Sequence, residues 1–162
     1  MKANELMIGD WVLMDMNYSE DDPMYARLDY QPYQIRNGED IDLAEEKNCI
    51  GDADVYQPIP LTDEILRNNG FEFTEADKLI NERCLMCHLS RMNGEYKYVK
   101  TRNGCLIDCA IVGYSDLHKE WQIVQMFGKD MSINAGRVNS VHELQHTLRL
   151  CHINKEIKIK ED

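Results

Sequence analysis

Basic residues and long apolar runs are both scarce in this chain, and each shortage excludes a class of protein. The 162 residues include 18 Lys and Arg against 29 Asp and Glu, a formal net charge of −11, so the chain as a whole repels nucleic-acid phosphates. No apolar run approaches the ~20 residues that a membrane-spanning helix needs. The sequence therefore predicts neither direct nucleic-acid binding nor a membrane protein.

A secretory signal is also lacking. The opening, Met-Lys-Ala-Asn-Glu-Leu, has no apolar core of the kind that signal peptides carry. We therefore expect a cytoplasmic protein whose six cysteines stay reduced. With 43% hydrophobic and 29% charged residues, the composition is that of an ordinary globular protein.

The acidic excess is concentrated in the first 60 residues. These hold 14 acidic and 4 basic residues, a net charge of −10, whereas residues 61–162 hold 15 acidic and 14 basic, a net charge of −1. An acidic surface keeps a protein soluble, but it also suits a basic protein partner, or a mimic of DNA that inhibits a DNA-binding protein. All three interpretations stay open.

The most distinctive motif is a histidine-rich stretch near the end of the chain. His142, Glu143 and His146 have the H-E-x-x-H spacing of zinc metallopeptidases, and His152 stands where one branch of those enzymes has a third histidine ligand. On a helix, two histidines four residues apart can share one Zn²⁺. Under this hypothesis His142 and His146 hold zinc, and Glu143 is the catalytic base.

The same stretch also has the features of a purely structural helix. Ser140 is a suitable N-cap, and Glu143 three residues later would complete a capping box. The apolar stripe of this helix comprises Val141, Leu144, Leu148 and Cys151. The stripe should face the core, which would direct His142, His146 and Arg149 toward solvent. We therefore expect no metal or other cofactor, and the zinc metallopeptidase is the alternative.

Two closely spaced cysteine pairs raise a second metal hypothesis. Cys84 and Cys87 are followed after 17 residues by Cys105 and Cys109, near the spacing of a four-cysteine zinc site. If residues 105–114 form a strand, however, the second pair is about 13 Å apart, too far for two ~2.3 Å Zn–S bonds to one ion. Reduced core cysteines are the expectation, and a structural zinc is the alternative.

Residues 1–60 are predicted to form a small strand-rich lobe, with a fold-level analogy to SH3-like barrels. Gly9-Asp10 and Asn37-Gly38 are turn signals, and Pro32 marks an edge strand. The predicted strands cover residues 11–13, 24–35 and 55–59. Residues 41–49 suit either a strand or a short helix.

The segment Leu61–Phe71 predicts a short linker helix. Thr62 is its N-cap, and Leu61 with Leu66 can form a hydrophobic staple. Gly70 is expected to be left-handed and to end the helix in a Schellman motif.

An antiparallel sheet should follow the linker helix. Asn93-Gly94 is a hairpin signal between strands at residues 84–92 and 95–101, and Asn103-Gly104 marks the next turn. Two more strands are expected at residues 105–114 and 121–127. Ile133 is expected to lead into the C-terminal helix, and the alternating residues 155–160 to form a final strand.

Three segments resemble one known family. Residues 1–12, 58–71 and 141–151 look like short uncharacterised proteins of gut Bacteroidota and of their phages and mobile elements. In that family the residue at the place of His146 is histidine or asparagine, and glycine is usual at the place of His152. The resemblance implies an architecture and a genomic setting rather than a reaction.

Together these features predict an α+β protein with an acidic lobe at residues 1–60 and a sheet with a packed C-terminal helix at residues 61–162. We expect a non-catalytic accessory or interaction protein of a mobile element, with an unknown protein partner.

Overall fold

The computed structural model describes seven stretches of the chain, which cover residues 3–16, 29–48, 55–74, 92–102, 105–115, 118–127 and 131–160. The fold is α+β, as the sequence predicts. The chain divides into two compact units. The first comprises residues 1–60 with residues 140–142 and 158–162, and the second comprises residues 61–139 and 143–157.

The first unit is built on a three-stranded antiparallel sheet. Its strands are β1 (Trp11–Asp15), β2 (Tyr30–Gln34) and β3 (Tyr56–Pro58), in the order β2-β1-β3. Pro32 lies in β2, which is an edge strand. Proline has no N–H to donate, and an edge strand tolerates this because it has a neighbouring strand on one side only. The three predicted strands are confirmed where they are described, and the SH3-like analogy stays a prediction.

Helix α1 (Gly38–Asn48) settles the ambiguous segment as helical. Its N-cap is Asn37, so the Asn37-Gly38 pair begins a helix, and the prediction of a turn there was wrong. The buried core of the first unit comprises Leu6, Val12, Ile35, Ala44, Val55 and Tyr56.

The second unit contains a five-stranded antiparallel sheet in sequential order. Its strands are β4 (Glu72–Thr74), β5 (Met92–Arg102), β6 (Cys105–Ser115), β7 (Glu120–Phe127) and β8 (Met131–Arg137). Residues 109–113 of β6 are all buried, so both faces of this strand are covered. Within the described ranges, no helix combines the length and the apolar composition needed to cross a membrane.

Two predictions about this sheet were wrong. The Asn93-Gly94 pair does not form a hairpin turn but lies inside β5, where the register with β6 shifts between Met92 and Glu95. Glycine within a strand often marks such a bulge. Strand β8 occupies residues that were expected to lead directly into the helix. Its sequence has Ser132, Asn134 and Gly136 at alternate positions and is poor in strand formers, but pairing with β7 overrides that weak propensity.

Helix α2 (Asp63–Asn68) confirms the predicted linker helix in detail. The Thr62 hydroxyl accepts the N–H of Ile65 at 3.2 Å. At the other end, Gly70 has a φ of 76° and the N–H of Phe71 donates to the carbonyl of Leu66 at 3.0 Å. These are the cap and the Schellman closure that the sequence indicates.

Helix α3 (Val141–Leu150) is the predicted C-terminal helix. The segment after it forms no strand within residues 151–160, so the predicted final strand at residues 155–160 is wrong. Ile153 and Ile157 are nevertheless buried. An alternating pattern predicts which side chains are buried, but it does not supply a strand edge for the backbone to pair with.

Candidate functional site

The apolar stripe of α3 is buried as predicted, but the buried surface extends well beyond it. Val141, Leu144 and Leu148 are fully buried, and Gln145 and Thr147 are buried as well. Along residues 141–148 only Glu143 and His146 keep part of their surface accessible. The accessible side of the helix along these residues is therefore a narrow strip formed by Glu143 and His146, which are three residues apart.

His142 is buried, contrary to the prediction that it faces solvent. Its side chain is only 7% exposed, and its Nδ1 lies 3.0 Å from the hydroxyl oxygen of Ser140. The helical phase was correct for the stripe, but it could not show that the opposite side of the first turn is covered too. A catalytic zinc needs a coordination position open to water and substrate, which an imidazole this deeply buried does not favour.

Glu143 serves the backbone at the start of α3. Its Oε2 accepts the N–H of Asn139 at 2.6 Å, one residue before the predicted N-cap Ser140. A hydrogen bond from a backbone N–H to an ionised carboxylate is charge-assisted and stronger than one between neutral groups. This bond differs from the predicted capping box, because its donor is Asn139 and not the N-cap Ser140.

Asn139 connects Glu143 to the rest of the second unit. Its carbonyl oxygen accepts the N–H of Leu61 at 2.9 Å, and its side-chain oxygen accepts the N–H of Trp121 at 3.1 Å. The indole N–H of Trp121 in turn donates to the carbonyl of Leu61 at 3.0 Å. Glu143 therefore belongs to a hydrogen-bond network that joins the linker to β7, and this gives the side chain a structural role.

His152 ends α3 and lies on an exposed part of the chain. Its φ is 56°, in the left-handed region, and its N–H donates to the carbonyl of Arg149 at 3.0 Å. The N–H of Ile153 reaches back to the carbonyl of Leu148 at 2.9 Å, which completes a Schellman motif with His152 at the position that glycine usually occupies. Glycine adopts this conformation without strain, so the conformation gives His152 a backbone role.

The cysteine pairs are only partly described. Cys84 and Cys87 lie outside the described residues. Cys105 and Cys109 both lie on β6, the strand that the spacing argument assumed. Cys109 and Cys151 are buried and reduced, and burial raises the pKa of the Cys151 thiol, as for an inert core cysteine.

In the parts of the chain that the structure describes, no three His, Cys, Asp or Glu side chains are placed to hold a metal ion. Both zinc hypotheses stay untested predictions, and for the four-cysteine site the first cysteine pair falls outside those parts.

Several acidic residues of the first unit are structural. Asp10 is fully buried and its Oδ2 accepts the N–H of Met7 at 2.7 Å, while Asp15 accepts the N–H of Asp29 at 3.1 Å. Asp40 accepts backbone N–H bonds from Arg36 at 2.7 Å and from Asn37 at 3.3 Å. Its own N–H donates to the Asn37 side chain at 3.1 Å, so the two residues form a reciprocal capping box for α1.

Other acidic side chains of this unit are exposed. The exposed ones in the described residues are Glu5, Asp29, Glu39 and Asp42. A charge count along the sequence could not separate them from the structural acids. The Asn37-x-x-Asp40 spacing was the one local signal that could have identified the capping box.

A tight turn in the first unit carries two exposed apolar side chains that the sequence did not single out. Met7 is 47% exposed and Ile8 is 60% exposed. The N–H of Asp10 donates to the carbonyl of Met7 at 3.0 Å, and Gly9 has a φ of 92°, as the third residue of a type II turn requires. The Gly9-Asp10 turn signal was therefore correct, but it did not reveal that Ile8 projects from it.

No family model matches the chain, and no curated protein or solved structure shows significant similarity to it.

Proposed function

We propose that the protein is a non-catalytic binding protein whose acidic first unit recognises a basic protein partner in the cytoplasm of a bacterial cell. One observation carries the proposal: residues 1–60 hold 14 acidic and 4 basic residues, while the remainder of the chain is nearly neutral. A single-sign field of this kind accelerates the encounter with an oppositely charged partner and discriminates against acidic ones.

The division of labour among the acids supports this proposal. Asp10, Asp15 and Asp40 bond to backbone groups, so their placement follows from the fold alone. Glu39 and Asp42, by contrast, lie on α1 with exposed side chains. Surplus acids on one helix cost some stability through mutual repulsion, which a binding role would offset.

The resemblance to proteins of mobile elements of gut Bacteroidota suggests the setting. In that setting the basic partner would be a protein of the host or of a competing element, and a DNA-binding protein is the natural example. An acidic unit that occupies its DNA-binding surface would act as an inhibitor. This form of the proposal predicts that DNA competes with the protein for the partner.

A charge-neutralised variant tests the proposal. Glu5→Gln, Glu39→Gln and Asp42→Asn together remove three exposed negative charges from the first unit. The matched control, Glu64→Gln, Glu72→Gln and Glu156→Gln, removes three exposed charges from the second unit. Asp40 is left unchanged in both because it caps α1.

Binding is measured with basic proteins of a Bacteroidota extract, retained on a cation exchanger and applied to the immobilised protein at two salt concentrations. We expect one protein to be retained by the wild type and by the control variant but not by the charge-neutralised variant. Salt should release this protein, because the screening length of charge interactions falls to ~8 Å at physiological ionic strength. Equal retention by both variants would contradict the proposal.

A further inference from the structure

We propose that the turn Met7–Asp10 is the apolar anchor of the interface that the acidic first unit forms, and that it enters an apolar pocket rimmed by Lys or Arg on the basic partner. This inference rests on the proposed function, because the charge of the first unit is what selects a basic partner. It adds a defined contact site and a required feature of the partner.

The exposure of Ile8 is the first observation. Large exposed apolar side chains in the described residues are Met7, Ile8, Met16, Phe73 and Leu150. Single exposed apolar residues are normal on protein surfaces. Only at this turn are two of them consecutive, and Phe73 has the guanidinium of Arg67 5.2 Å from its ring centre.

The rigidity of the backbone is the second observation. Besides the turn bond, the Gly9 N–H donates to the carbonyl of Ile35 at 2.7 Å, and the Ile35 N–H donates to the carbonyl of Asp10 at 2.9 Å. The Gln34 amide donates to the carbonyl of Gly9 at 3.2 Å. The buried Asp10 carboxylate accepts the N–H of Met7.

These bonds fix the turn against the start of β1 and the end of β2 before any partner arrives. A preorganised loop loses little conformational entropy when it binds, so more of the contact energy appears as affinity. An exposed isoleucine on a mobile loop would not have this advantage. The fold therefore holds Ile8 at a fixed place on the surface, where burying it in a pocket removes apolar area from water.

The charge of the unit is the third observation, and it determines the kind of partner. Ile8 projects from a unit with a net charge of −10, and Glu5 lies exposed three residues before it. An acidic partner would be repelled, and a partner with only an apolar surface would leave the net charge of the unit without an opposite charge. A basic protein with an apolar pocket would bury the Ile8 side chain and also complement the negative charge of the unit.

Photo-cross-linking tests the anchor. Full-length protein with Ile8→p-benzoylphenylalanine is irradiated in an unfractionated Bacteroidota extract, which contains acidic as well as basic proteins, and Leu150→p-benzoylphenylalanine serves as the control. Leu150 is 80% exposed and lies on α3 in the second unit. We expect one basic protein to be cross-linked from position 8 at low salt, and none selectively from position 150.

Competition by unlabelled proteins then distinguishes the contribution of Ile8 to binding from the contribution of the acidic residues. Unlabelled wild-type protein should suppress the cross-link at position 8, and Ile8→Ser protein should need at least a tenfold higher concentration. Ile8→Ser should keep the wild-type melting temperature, because its side chain is exposed. If Ile8→Ser competes as well as wild type while the charge-neutralised variant does not, the anchor is wrong and the acidic interface stands.

The remaining outcomes decide both statements. If position 8 cross-links no more than position 150, the anchor fails, and the retention experiment decides the proposed function by itself. If the charge-neutralised variant competes fully, the proposed function fails and the anchor, which rests on it, fails too. A selective cross-link to a protein that is not basic overturns the partner chemistry.

Discussion

The N–H of Ile153 donates to the carbonyl oxygen of Leu148 at 2.9 Å, as the N–H of Phe71 does to that of Leu66 at 3.0 Å. The same closure thus ends two helices of the second unit. The residue in the left-handed position is Gly70 in one case and His152 in the other. Substitutions at these two positions therefore measure how much a side chain in the left-handed conformation lowers the free energy of unfolding.

His152→Gly should stabilise the protein. A side chain in the left-handed region costs about 1–2 kcal/mol, and histidine tolerates it better than most residues, so a gain of about 1 kcal/mol is expected. Gly70→Ala is the converse change and should cost a similar amount, since the space at Gly70 is open apart from the Lys155 amine at 3.9 Å. Urea unfolding of the three proteins checks both signs, and a destabilised His152→Gly would refute the backbone role.

Glu143→Ala should lower the free energy of unfolding by about 0.5–2 kcal/mol, through loss of the bond to the Asn139 N–H. Glu143→Gln keeps an acceptor oxygen and should lose less. Zinc content, measured on protein purified without chelator or affinity-tag nickel, distinguishes the alternative. One zinc per chain that is lost in His142→Ala would establish the metallopeptidase-type site instead.

Asp40→Ala should cost about 1–2 kcal/mol, because the carboxylate accepts two backbone N–H bonds and the hydroxyl bond of Tyr33 at 3.0 Å. Asp42→Ala, two residues further along the same helix and exposed, should change stability by less than about 0.5 kcal/mol. Thermal and urea unfolding check the contrast. Equal effects of the two substitutions would show that the capping box contributes nothing.

Stability should fall at alkaline pH. Burial raises the pKa of Tyr56, and the negative charges of Asp40 and ionised Tyr33 raise it further. The pKa of Tyr33 is raised as well, first by burial and then by its bond to Asp40. Unfolded tyrosines ionise near pH 10, so these groups contribute stability that is complete below about pH 10 and is lost as pH rises from there through the raised pKa values of the folded state.

Tyr56→Phe isolates the contribution of the more deeply buried tyrosine. Between about pH 10 and pH 11, its free energy of unfolding should fall less steeply with pH than that of the wild type, by up to about 1.4 kcal/mol per pH unit. Urea midpoints at several pH values measure the two slopes. Parallel slopes would show that Tyr56 ionises equally in both states.

The sequence predicted best where the determinants are local. The Thr62 cap and the Gly70 closure of α2 lie within ten consecutive residues, and both were found as expected. Strand β8 was missed because its pairing with β7, rather than its own composition, makes it a strand. The bulge at Asn93-Gly94 was wrongly predicted as a turn because glycine is favoured in both structures.

The candidate site shows the same limit. Spacing identified His142, Glu143 and His146, and helical phase placed the apolar stripe correctly. Neither could show that Ser140 lies against His142, or that Glu143 bonds to Asn139, since burial on the polar side depends on what the rest of the fold brings there. Ile8 was overlooked because an isoleucine beside a turn signal is normally assigned to the core.

The bond from the Trp121 indole to the carbonyl of Leu61 spans 60 positions of sequence. By contrast, the strands from β4 to β8 pair only with their neighbours in order, and those from β5 onward follow one another through short connections, so those hairpins can form early and independently. Docking of the linker on β7 closes a much longer loop and should come late in folding. Refolding followed by tryptophan fluorescence should therefore lag behind the appearance of sheet structure, and Trp121→Phe should remove that slow signal while leaving the early phase intact.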